Sequence, residues 1–222
     1  MTRFESVSRE EFDRALARGR ASAAFRERYA RFLPQLDGAD ESEAGFQVHR
    51  GDLTVPGDFT APGLATLVLG DLTVEGYVDL RNPRDDAFDE DGLFVVLGTL
   101  RCRVFAGECG KCCFVDGSLE ARDLLLNRFH DSTLVVIDDL RTGFFVGEDV
   151  WAEVGGDVVM EYGAGYAMPL GAPSDARIIE PEHDETTSRA KLAITWPGGE
   201  RIDADALMEL VRAGKPVFRQ DI

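Results

Sequence analysis

Gly-Asp-Leu-Thr-Val occupies residues 51–55 and again 70–74. The pattern returns in altered form at Gly98-Thr-Leu-Arg-Cys, Gly117-Ser-Leu-Glu-Ala, Asp138-Asp-Leu-Arg-Thr and Gly156-Asp-Val-Val-Met. The copies start 19, 28, 19, 21 and 18 residues apart. A unit this short cannot close a hydrophobic core on itself, so successive copies must stack. Counting from the first residue of each copy as zero, position +2 reads Leu53, Leu72, Leu100, Leu119, Leu140 and Val158, all branched aliphatics. Position −2 reads His49, Val68, Val96, Val115, Val136 and Val154. Alternate residues on both sides of the Gly therefore point inward with the period of two that strands require. Two short strands meeting at a Gly-Asp corner, repeated six times, predict a mainly β fold: a short parallel β-helix of about six rungs, on the order of 30 Å long.

The two predicted strands differ on their outer faces. After the Gly, the outward residues include Asp52, Thr54, Asp71, Thr73, Arg101, Glu120, Asp139 and Arg141, a wet wall. Before it they are Leu67, Leu69, Val95, Leu97, Phe114, Val135 and Ile137, so that strand is apolar on both sides and must be covered. The candidate covers are an N-terminal helix and a second copy of the chain. Ser8 with Glu11 reads as a capping box, and Phe12/Leu16 and Phe25/Tyr29/Phe32/Leu33 recur at helical spacing over residues 8–33, with a break at Gly19. A second helix is predicted from Asp203 through Leu207, Leu210 and Val211 to Gly214, following a strand-like Leu192–Trp196. Three segments result: a helical 1–44 packing on or capping the solenoid, the β-helix at 45–172, and an α/β appendage at 173–222.

Net charge is −17 over 222 residues, laid out unevenly. Residues 1–32 hold eight arginines against five acids, which leaves +3 there and −20 for the remainder. An acidic rod repels nucleic acid and anionic membranes and attracts basic proteins. No apolar run approaches a membrane span and the N-terminus lacks the apolar stretch of a secretory signal, so the chain reads as cytoplasmic.

The candidate sites each compete with a plain structural role. Cys109-Gly-Lys-Cys112 has the spacing of a zinc knuckle, but no second pair completes a ligand set, and Cys102 and Cys113 fall on inward positions of the repeat. These read as core cysteines; no metal and no cofactor is expected. The long third interval carries an acidic insertion around one aromatic, with Asp85, Asp86, Phe88, Asp89, Glu90 and Asp91. It reads as a solvated loop or as a docking loop in which Phe88 anchors and the acids meet Arg or Lys on a partner. Asp89, Asp91 and Gly92 match only a fragment of a calcium loop. Asp52, Asp71, Asp139 and Asp157 bear comparison with the wall carboxylates of pectin-degrading β-helix enzymes, yet each stands at a corner where Asp commonly binds local backbone. His130 and Asp131 are neighbours in an extended segment and face opposite ways.

The Gly-Asp-Leu-x-Val units with Val two before the Gly resemble bactofilins across residues 46–160. That resemblance implies a polymer-forming scaffold that assembles end to end through its terminal rungs. Non-repeat segments at both termini argue for capped ends, which stop such growth. In general character, an acidic, repeat-built chain with helical appendages is similar to bacterial toxin-immunity proteins, which implies a non-enzymatic inhibitor of a basic toxin. The expectation from sequence is a protein-binding module whose acidic surface, including Asp52 and Asp71, meets a basic partner. A scaffold or homodimer and a carbohydrate-active enzyme are the alternatives.

Overall fold

The computed structural model describes residues 4–36, 45–80, 92–108, 111–166, 185–194 and 203–219. It opens with β1 (Glu5–Val7), α1 (Arg9–Arg18) and α2 (Ala23–Leu36). The solenoid follows as β2 (Phe46–His49), β3 (Leu53–Val55), β4 (Phe59–Thr60), β5 (Ala65–Val68), β6 (Leu72–Val74), β7 (Tyr77–Asp79) and β8 (Gly92–Val96). It continues with β9 (Leu100–Glu108), β10 (Lys111–Val115), β11 (Leu119–Val136), β12 (Leu140–Val154) and β13 (Val158–Tyr166). The described chain closes with α3 (Glu185–Lys191) and α4 (Ala204–Arg212).

The fold is a parallel β-solenoid, with three strands to a rung rather than the two the repeat suggests. The first wall stacks β2, β5, β8, β10 and the last segments of β11 and β12. The second stacks β3 and β6 with the first segments of β9, β11, β12 and β13. The third stacks β4 and β7 with the later segments of those same long strands. Each wall is six strands deep, five steps from rung to rung. The register keeps equivalent residues level: Leu72 pairs with Leu100, Leu100 with Leu119, Leu119 with Leu140, and Leu140 with Val158. Inside the rod these aliphatics meet the −2 valines and Phe94, Phe105, Leu125 and Phe145 in one continuous core.

The apolar first wall lies under the chain's own helices. Phe12, Leu16, Phe25 and Tyr29 form one buried cluster with Leu67, Val95, Phe114, Val135 and Ile137, and half-buried Leu69 and Leu97 pack at its margin. The Ser8–Glu11 capping box is present, and the side chains of Phe32 and Leu33 lie outside the described ones. Gly19 breaks the helical run for a packing reason: a Cβ there would collide with the Leu97 side chain and stand 3.2 Å from Leu69 Cδ2.

A second cover was not foreseen. The third wall turns Val104, Ala106, Leu124, Leu126, Phe144, Val146, Tyr162 and Ala164 outward, and Leu192, Leu207, Met208, Val211 and Val217 of the C-terminal segment bury them. Asp203 caps α4 through the Ala206 N–H at 2.9 Å, as its sequence predicts. The strand expected at Leu192 is instead a single antiparallel bridge to Phe218, preceded by α3. Arg212 reaches back to Asp79 at 3.1 Å and ties α4 to the second rung.

Candidate partner-binding wall

With the first and third walls covered, the second is the bare one among the described residues. Its inward residues join the rod core, while Thr54, Arg101, Arg141 and Val159 are exposed and Thr73 and Glu120 half-exposed. Its edge is the line of Gly-Asp corners, and their construction explains the sequence signature. Asp52 Oδ1 accepts the N–H of Asp71, Asp71 Oδ1 that of Thr99, and Asp139 Oδ1 that of Asp157, each at 2.9 Å. A carboxylate at +1 of one rung thus satisfies the backbone donor at +1 of the next. Asp58 repeats the device at a second corner, accepting the Tyr77 N–H at 3.1 Å.

The glycines follow from this stacking, not from an unusual backbone. Gly70, Gly98 and Gly156 are absent from the residues with positive φ. A Cβ on any of them would collide with the aspartate of the rung before, Asp52, Asp71 and Asp139 respectively. It would also lie 2.8 Å from Asp52 N, Asp71 N and Asp138 C in the same three positions. Gly51 heads the first rung, with nothing near its Cβ direction, and its φ of 89° is the reason for Gly there. Asp138, the single non-glycine at position zero, stands over Ser118, the smallest side chain at +1.

At Asp139 the corner role favours the charged carboxylate. Asp139 is half-exposed, and its carboxyl is held below the ordinary range first by the Asp157 N–H and then by Arg141, 3.1 Å away. A general acid requires a shift in the opposite direction. Along the wall the charges alternate. Arg101 lies 3.6 Å from both Asp71 and Glu120, and Arg141 pairs with Asp139, so the later rungs are largely neutralised, whereas Asp52 makes no ion pair among the described residues.

At the N-terminal end of the rod, Phe4 covers the core of the first rung, 6.0 Å from the Phe59 ring and 5.6 Å from His49. β1 pairs antiparallel with β2, Glu5 opposite Val48 and Val7 opposite Phe46, fastened by Glu5–Arg50 at 3.2 Å and Gln47–Ser6 at 2.8 Å. Reversing the strand direction at this point ends the parallel stack on the first wall.

The helical cover is keyed by polar residues that the periodicity does not mark. Asp116 and Glu153 stand among the apolar outward residues of the first wall, beside Phe114 and Val135. Glu153 is 1% exposed and is met by Arg31 at 2.9 Å, Arg28 at 3.5 Å and the Trp151 indole N–H at 2.9 Å. An acid inside an apolar row is a legible signal, and the arginine-rich N-terminal segment supplies its complement.

Cys102 and Cys113 lie in the rod core, where burial pushes both thiols well above their ordinary range. Cys112 packs beneath the helices on the first wall, and Cys109 lies outside the described residues. Among the described residues no group of three His, Cys, Asp or Glu converges on a metal site. The insertion residues Asp85, Asp86, Phe88, Asp89, Glu90 and Asp91 fall outside the described residues, as do the side chains of His130 and Asp131. No described helix is long and apolar enough to cross a membrane.

Compared with models of protein families, with curated proteins and with solved structures, the chain gives no match.

Proposed function

We propose that this chain is a non-catalytic protein-binding module that offers its bare second wall to a basic protein, as an immunity-type inhibitor of a basic toxin would. One observation carries the reading: the first and third walls are occupied by the chain's own helices, and the second is left bare, polar and acidic at its N-terminal end. A rigid sheet loses little conformational entropy on binding, and a net charge of −17 speeds encounter with a cationic partner. The insertion at 81–91 adds acids to the same chain and is proposed as a second contact.

The alternatives receive less support. Phe4 and β1 over the first rung weigh against end-to-end growth of a scaffold. The commitment of corner carboxylates to backbone donors weighs against a glycoside-cleaving wall.

The test is co-expression and binding with the product of an adjacent toxin-like gene, using wild-type protein and a Thr54→Arg, Thr73→Arg variant whose corner ladder is intact. Protection of the cell and salt-sensitive binding by wild type, both lost in the variant, are expected. Equal binding by the two proteins would remove the second wall from the interface, and failure of any basic partner to bind would remove the inhibitor reading.

A further inference from the structure

We draw no further inference here: the strongest candidate, the buried Asn127 carboxamide at the corner between the third and first walls, whose Nδ2 has no hydrogen-bond partner among the described residues, carries nothing because the side chains that complete that corner, at 108–110, 129–131 and 148–149, lie outside the described ones.

Discussion

Asp116 receives Ser22 twice: the Ser22 backbone N–H donates to Oδ2 at 2.7 Å, and the Ser22 hydroxyl donates to Oδ1. The same hydroxyl oxygen accepts the Phe25 N–H at 3.0 Å, which starts α2. One carboxylate on the solenoid thus fixes where the second helix begins, directly above Phe114. Asp116→Ala leaves both Ser22 donors without this acceptor and should cost about 1–3 kcal/mol. Urea unfolding measures the loss, and amide exchange should quicken along α2 before it does in the rod. An unchanged midpoint with unchanged exchange in α2 would show that the helix is held by its apolar face alone.

Glu153 makes the complementary anchor at the far end of α2, and here the balance of desolvation and pairing decides the outcome. Removing both cations, Arg28→Ala with Arg31→Ala, leaves a buried carboxylate with the Trp151 N–H but no counter-charge and should destabilise by about 3–5 kcal/mol. Adding Glu153→Leu to that pair removes the buried charge and should recover part of the loss, though Trp151 then lacks its acceptor. A triple variant less stable than the double would contradict the argument.

The rod was legible because its periodicity is enforced by geometry. Leu at +2 and Val at −2 face one interior, and a slip of one residue would expose them all. The third wall was less legible because Gly57 and Gly76 mark its corner only in the first two rungs: β9, β11, β12 and β13 run on into it from the second wall, with a register shift between Ala121 and Leu124. Its signal was present in Leu124-Leu-Leu126 and Phe144-Phe-Val146, apolar on both sides like the first wall, and it implied a second cover. The anchors were obscured for a different reason. Asp116 and Glu153 interact with Ser22 and Arg31 across 94 and 122 residues, and no local pattern reports a contact of that kind.

Asp139 should give the corner ladder a signature in acid. Its folded-state carboxyl is held below the ordinary aspartate value, first by the Asp157 N–H, so the charged form contributes stability above the unfolded-state value of about 3.9. That contribution disappears as pH falls from there through the lowered folded value. Asp139→Asn retains an oxygen for the Asp157 N–H and cannot titrate. Below about pH 4 the urea midpoint of wild type should therefore fall more steeply than that of the variant. Parallel acid limbs would mean that the hydrogen bond does not favour the ionised form.

The pairing of Ser118 with Asp138 tests the stacking rule behind the whole repeat. Gly98 follows Asp71 and Gly156 follows Asp139 in the next rung because the aspartate fills the space of a Cβ. Over Ser118 stands Asp138 instead of glycine, with its N–H on Gly117 O at 3.2 Å and the Asp139 N–H 3.4 Å from Ser118 Oγ. Ser118→Asp offers a better acceptor to Asp139 but drives a carboxylate against the Asp138 Cβ, and should cost about 1–3 kcal/mol as other overpacking does. Adding Asp138→Gly recreates the arrangement at Asp71 and Gly98 and should restore most of the loss. The two substitutions must therefore be coupled by at least about 0.5 kcal/mol, the range for residues in contact. Additive effects in a double-mutant cycle would show that glycine is placed at these corners for some reason other than the side chain beneath it.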